Sequence, residues 1–342
     1  MAEFDLIERI RSRIPARADV VLGIGDDAAI VQVPAGCQLV VCADTLNAGV
    51  HFPLDTAPAD VGWKALAVNL SDLAAMGAQP GWCTLSLSMP ADDPAWLDRF
   101  LDGFLDLAER HGVALIGGDT TRGPLSVSVT AHGLVAPGRA LRRDGAQADD
   151  DIWVSGTLGD AAAALALLAD GDTPVLSTAQ TVIADGAAAA SSSGASGLRA
   201  RLDRPQPRVA LGLRLAGVAS AGIDISDGLF SDLGHICRAS GLGAAVQLDA
   251  LPSSPGLTQA LDGAARRAFQ TTGGDDYELC FTAPAGSRVQ VGAIAAQTGV
   301  ALTRVGRMVS ADDGADGPGV YGLEPDGTRW QPSRTGWVHF SG

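Results

Sequence analysis

The sequence predicts an α/β (α+β) protein in two domains, and three observations carry that prediction. Short apolar or alternating runs take turns with longer segments of helical period along the whole chain. The 342 residues suffice for two ordinary hydrophobic cores. A polar stretch, RRDGAQADDD, interrupts the pattern and divides the chain into domains 1–150 and 151–342.

In the first domain, residues 20–23, 39–42, 84–88, 114–116 and 125–134 read as strands. Residues 58–76 and 94–111 read as helices, each with Pro at its start and with Gly77 and Gly112 as stop signals. The second domain opens with a strand at 152–155, then Gly159 and an Ala-rich helix over 160–169. Residues 172–200, with AAAASSSGASG, read as a low-complexity loop insertion. A helix over 208–219, the turn GIDISDG, a helix over 229–239, a strand over 244–248 and the turn-plus-strand TTGGDDYELCFT follow. The tail carries Trp330 and Trp337.

Composition narrows the function classes. A hydrophobic share of 46% with 18% charged residues fits a globular protein and excludes a mostly disordered one. The apolar runs are too short to span a bilayer, and MAEFDLIERIRSR is no secretory signal, so a cytoplasmic protein without a membrane partner is expected. Five cysteines without a C-x-x-C pair argue against a disulfide framework or a zinc knuckle. The net charge of −15 argues against a nucleic-acid partner, because a phosphate backbone needs a basic stripe. It permits a nucleotide substrate, provided that divalent cations stand between carboxylates and phosphates.

An Asp recurs just after a short apolar run, usually beside Gly: Asp26 and Asp27 in VVLGIGDDAAI, Asp44 in LVVCADT, Asp119 in LIGGDTT, Asp224 and Asp227 in GIDISDG, and Asp275 and Asp276 in TTGGDDYE. Any one of them suits a helix cap or a turn. Turn-formers, however, are drawn from Ser, Asn, Thr and Asp alike, and here the choice is Asp nearly every time. With no cationic counterweight in the sequence, the collection calls for metal ions. Asp72 adds to it, since helical spacing puts Ala65, Asn69, Asp72 and Met76 on one face, where a carboxylate needs a cation or a metal. The competing role for Asp72 is a pair with Lys64, the one lysine of the chain. A helix starting near Ser226 would let Asp224, Asp227 and the N–H groups of its first turn converge on a metal–phosphate unit. His51 stands out among five histidines because it follows Asp44 within DTLNAGVHF; an ordinary structural role competes. No P-loop, protein-kinase, G-x-S-x-G or H-E-x-x-H motif occurs.

Seven blocks, GIGDDAAI, DTLNAGVHF, WKALAVNLSDLAAMGAQP, LIGGDTTRGPL, VSGTLGDAAAAL, DISDGLFSDLGHI and TGGDDYELCFT, resemble those of the thiamine-monophosphate kinases, in that order and over nearly the whole chain. The wider relatives are aminoimidazole ribonucleotide synthetase-like ATP-binding proteins. The resemblance implies a homodimer paired through N-terminal strands, with domain 1–150 binding ATP and magnesium and domain 151–342 completing the active site. It implies transfer of the γ-phosphate of ATP to thiamine monophosphate, giving thiamine diphosphate and ADP. It assigns Asp27, Asp44, Asp72, Asp119, Asp224 and Asp227 to several Mg2+ ions, and Gly118, Asp119, Arg143 and Ser226 to ATP. It assigns His51, Asp275, Asp276 and Trp337 to the thiamine phosphate. Cys42 and Ala43 stand where relatives carry hydroxyl residues. No catalytic base is needed, because a phosphate monoester with a second pKa of about 6 is already an anionic nucleophile at neutral pH. Direct in-line transfer is then expected, with Arg143 adding positive charge. The rival readings are a sister ATP-dependent synthetase of the same fold, a metal-dependent phosphohydrolase and a non-enzymatic metal-binding protein.

Overall fold

The computed structural model describes residues 3–169, 192–311, 319–332 and 336. The chain divides into two compact units: 1–73 with 78–140, and 74–77 with 141–342. Among the described residues, no helix is long and apolar enough to cross a membrane.

The first unit contains α1 (Glu3–Arg11), β1 (Val20–Leu22), β2 (Ile30–Val31), β3 (Gln38–Asn47), α2 (Pro58–Ala75), β4 (Gln79–Met89), α3 (Pro94–His111), β5 (Ala114–Arg122) and β6 (Ser126–Val135). Its sheet has the order β3-β6-β4-β5, with only the β4–β5 pair parallel, as the intervening α3 requires. Helix α3 starts where its residues dictate. Asp93 caps it by accepting the Trp96 N–H at 2.9 Å, Pro94 follows, and Gly112 closes it with a left-handed φ of 63°. Its apolar face buries Leu97, Phe100, Leu101 and Phe104. Helices α2 and α3 touch backbone to backbone: a Cβ on Gly62 would stand 2.0 Å from the Phe100 carbonyl oxygen, and one on Gly103 1.7 Å from that of Ala59. Helix α2 is apolar nearly all round, with Trp63, Leu66, Leu70 and Leu73 buried.

The second unit holds β7 (Asp151–Ser155), α4 (Asp160–Ala169), α5 (Ser192–Asp203), α6 (Val209–Leu215), β8 (Ala221–Ile225), α7 (Leu229–Ser240), β9 (Leu242–Gln247), α8 (Pro255–Ala260), α9 (Gly263–Thr272), β10 (Glu278–Ala283), α10 (Arg288–Thr298), β11 (Leu302–Ser310), β12 (Val320–Leu323) and β13 (Arg329–Trp330). The sheet order is β13-β12-β9-β11-β7-β10-β8. Ile152, Val154, Ile223, Ile225 and Cys280 pack with Leu229, Leu233 and Ile236 of α7 into one core, while α4, α5, α8 and α9 form a second.

Two expectations change here. Of the expected loop 172–200, residues 172–191 lie outside the described residues, whereas 192–200 belong to α5. Leu198 and Leu202, four apart, bury one face of that helix against α4. The helix expected over 208–219 runs only from Val209 to Leu215, because the chain turns through Ala216 and Gly217, the latter at φ 88°.

Candidate active site

Each unit presents its own group of functional side chains. In the first, β3 turns alternate residues toward α2, so Cys42 and Asp44 are half-buried while Val41, Ala43 and Thr45 are exposed. Asn69 of α2, fully buried, locks the strand to the helix. Its Oδ1 accepts the Asp44 N–H at 3.1 Å, and its carbonyl oxygen accepts the Cys42 thiol at 3.4 Å. Asp72 lies one turn further along the same helix face. Burial first, then the charges of Asp72 and Asp44, push the Cys42 thiol far up, which sets both carboxylates beside one sulfur. The helix face expected from spacing therefore carries Ala65, Asn69 and Asp72 against β3.

Asp119 is placed otherwise. It pairs with Ser86 of β4, which pairs with Ser128 of β6 and so with Thr45, whereas Asp44 pairs with Val129. Asp119 is exposed and the next residue, Thr120, is buried, so the register puts Asp119 on the sheet face opposite Asp44. Gly118, at φ 151°, presses its backbone on β4; a Cβ there would stand 1.8 Å from the Leu85 carbonyl oxygen. Asp27 is exposed in the loop after β1, and its N–H is taken by Asp26 Oδ1 at 2.9 Å.

His51 closes the loop after β3. The Asn47 N–H donates to its Nδ1 at 2.9 Å, which leaves the ring proton on Nε2. The carbonyl oxygen of His51 accepts from Lys64 Nζ at 3.0 Å, and Lys64 is buried within α2. Sequence reasoning weighed Lys64 only as a partner for Asp72 and missed this anchor.

In the second unit, Asp224 lies near the end of β8, and the turn between β8 and α7 carries Ser226 and Asp227. Helix α7 begins at Leu229, not near Ser226, and the first-turn N–H groups expected to meet a phosphate are already engaged. Oδ2 of Asp232 accepts the N–H groups of Ser226, Asp227 and Gly228 at 3.0, 3.0 and 3.1 Å. A buried carboxylate in the first turn of α7 can satisfy three preceding amides at once, and this one does. Burial, then the charges of Asp224 and Asp227, push the Asp232 carboxyl up to about 8, while the amides pull the other way. Sequence reasoning passed over Asp232; its position five residues after Asp227 was the available signal.

The loop before β10 lies against the same turn. Asp275 donates its N–H to the Ser226 carbonyl oxygen at 2.8 Å, and Tyr277 donates to that of Ile225 at 2.8 Å. Both residues hold positive φ, 68° and 48°, a strained state that tends to collect at functional sites. The expected pair Asp275 and Asp276 separates. Tyr277 donates its hydroxyl to Asp275 Oδ1 at 3.1 Å, and Asp275 stays half-exposed. Asp276 is buried, with both carboxylate oxygens on the Gly159 N–H, and burial drives its carboxyl well above the ordinary range. Arg143 is exposed; its carbonyl oxygen accepts from Ser240 Oγ at 3.0 Å, at the C-terminal end of α7, whereas Asp227 precedes the start of that helix. Gly336 lies against Asp227, and Trp337 lies outside the described residues.

Asp44 with Asp72, and Asp224 with Asp227, thus form two pairs of hard oxygen donors. Among the described residues, no three His, Cys, Asp or Glu side chains are gathered to hold an ion by themselves.

Comparison with known proteins identifies relatives of the chain. Residues 25–135 match the family model described as AIR synthase related protein, N-terminal domain. The chain is 46% identical over 311 residues to thiamine-monophosphate kinase of Salmonella typhimurium, covering 91% of each chain. Among solved structures, thiamine-monophosphate kinase from Stenotrophomonas maltophilia K279a superposes with a TM-score of 0.83 at 54% identity, over 96% of this chain and 98% of that one. AaThiL, solved in complex with AMPPCP and TMP, superposes with a TM-score of 0.72 at 30% identity, over 98% and 96%.

Proposed function

Since the chain belongs to the thiamine-monophosphate kinase family, we propose that it transfers the γ-phosphoryl group of ATP to thiamine monophosphate, giving thiamine diphosphate and ADP. This is the last step of thiamine diphosphate biosynthesis. The observation that carries the reading to the atomic level is the packing of the Asp275 loop on the Ser226 turn, with Asp224 and Asp227 both beside Asp232, in a chain related along nearly its full length to these kinases.

The acceptor is a phosphate monoester, largely dianionic at neutral pH, so the enzyme needs no base to create a nucleophile. Its task is to bring two anions into line. Asp44 and Asp72 in one unit and Asp224 and Asp227 in the other are the residues that would hold magnesium, joined by Asp27; Asp119, on the opposite face of its sheet from Asp44, would hold a separate ion. Bound magnesium would neutralise phosphate charge and align the transferred group. Arg143 contributes a planar fork suited to phosphate oxygens, and Gly118, Asp119 and Ser226 complete the ATP contacts. His51 Nε2–H donates toward the thiamine phosphate, and Asp275 and Trp337 meet the same substrate. Asp276, committed to Gly159, acts on it only through the loop that it holds. The five cysteines are all free thiols, in keeping with a reducing cytoplasm. The enzyme is proposed to act as a homodimer through β3.

The test is a phosphorus resonance experiment with magnesium–ATP and a panel of phosphorylated vitamins. A new diphosphate ester should form with thiamine monophosphate alone. ADP production that ignores the acceptor would point to a hydrolase instead. Asp72→Asn and Asp227→Asn should each remove most turnover while the circular dichroism spectrum stays native; near wild-type turnover in either would sink the metal assignment.

A further inference from the structure

Three consecutive N–H groups facing one point form a ready-made anion site. At the β8–α7 turn those groups belong to Ser226, Asp227 and Gly228, and the acceptor in place is the carboxyl group of the chain's own Asp232. The arrangement is costly. Asp232 is 3% exposed, and it lies beside the side chains of Asp224 and Asp227. A simple turn needs no third carboxylate at that spot, since Gly228 at φ 117° and the Asp232 N–H on the Gly228 carbonyl oxygen already begin the helix. What the carboxylate adds is a fixed backbone at the residue whose side chain the kinase reading gives to magnesium.

We propose that Asp232 is a positioning residue for phosphoryl transfer: by gripping the amides of residues 226–228 it fixes the direction in which Asp227 and Ser226 present their side chains. A corollary concerns the substrate. With the nest filled from inside, phosphate recognition at this turn passes through side chains and cations, not through backbone amides. The inference rests on the kinase reading of Asp227, so Asp227→Asn serves as the control. If that control keeps full turnover, the metal assignment fails; the grip of Asp232 on the turn is judged separately.

Two variants separate geometry from charge. Asp232→Asn keeps an acceptor oxygen at the same reach and discards the charge. Asp232→Glu keeps the charge and displaces the oxygen by a methylene. Both are assayed per folded molecule, with magnesium and each substrate varied. Loss of a group that orients a metal ligand costs about 10–100-fold in activity or metal affinity. The Glu variant should therefore lose kcat by about that factor and need about tenfold more magnesium for half-maximal rate, whereas the Asn variant should lose less than about tenfold in kcat. Three outcomes overturn the proposal: Glu outperforming Asn, which makes the charge itself the requirement; both near wild type, which shows that the turn holds itself; or both inactive while folded. Should neither variant fold, hydrogen exchange in the wild-type protein decides. Slow exchange at the amides of Ser226, Asp227 and Gly228 is expected, and fast exchange there refutes the grip.

Discussion

His51 illustrates how a single side chain acquires its role from its neighbours. Accepting the Asn47 N–H on Nδ1 leaves the proton on Nε2, so the neutral ring is a donor there at physiological pH. The buried Lys64 amine holds the same residue by its carbonyl oxygen, so ring and backbone are fixed by two different elements. A hydrogen bond to a charged group is worth about 1.5–3 kcal/mol, or roughly 10–100-fold in affinity. His51→Ala should therefore raise KM for thiamine monophosphate by about that factor, with a much smaller change in KM for ATP. Steady-state kinetics with each substrate varied in turn checks this; an unchanged KM for the thiamine substrate removes His51 from the site. The residue types of the candidate site were legible in the sequence, because acidic side chains beside Gly have few other uses in such number. Their division of labour was not. Asp275 and Asp276 are chemically identical neighbours, and only the φ of 68° at Asp275 and the Gly159 amide decide which one turns inward.

Among the elements, helices followed their sequence signals more closely than strands did. A starting proline and a closing glycine mark α2 and α3 clearly, and α3 adds an Asp cap and a 3.6-residue apolar period, because those cues act locally. The strands bearing the site run longer than their apolar runs suggest. Residues 39–42 become Gln38–Asn47 and 114–116 become Ala114–Arg122, so Asp44 and Asp119 lie inside strands and not after them. Glycine explains the second case: Gly117 and Gly118 read as a turn, yet they permit β5 to lie close against β4 past a register shift. The attachment of α10 to β7 was equally invisible, since it joins residues 137 apart. Arg288 donates Nε and Nη2 to Asp151 at 2.6 and 2.8 Å, and Arg304 adds a contact at 3.4 Å. The hydrogen bonds and charge of Arg288 hold the Asp151 carboxyl below its ordinary value. A carboxylate with a depressed native pKa stabilises the fold above its unfolded pKa of about 3.9, and that contribution is lost as pH falls through the lower native value. Arg288→Ala should therefore lower the thermal midpoint at pH 7, and the gap to wild type should close as pH falls through the lowered native value of Asp151. A gap that persists at low pH would assign the effect to packing of the arginine stem.

At the scale of the whole molecule, the strand order of the seven-stranded sheet follows from no local signal. Its inner strands β9, β11, β7 and β10 come from distant parts of the chain, and non-local pairing of this kind is set by burial of the complete core. The smaller sheet raises the question of what covers its edge. Strand β3 is ten residues long and lies at the end of the order β3-β6-β4-β5; among the described residues no strand pairs with its outer side, where Asn69 takes the Asp44 N–H. Its outward residues include Leu39 and Val41, 46% and 54% exposed, and neither proline nor lysine blunts the strand. Long apolar edges of this kind invite a second strand, and a second copy of the chain supplies one by symmetry. Pairing two copies through β3 would cover those side chains and join the backbone groups left over. The double variant Leu39→Asp, Val41→Lys changes only outward positions, so the helix-facing Cys42 and Asp44 keep their register. Sedimentation equilibrium should give twice the chain mass for the wild type and the single-chain mass for the variant. A wild-type monomer at micromolar concentration, or a variant that still dimerises, would show that β3 is not the joining edge.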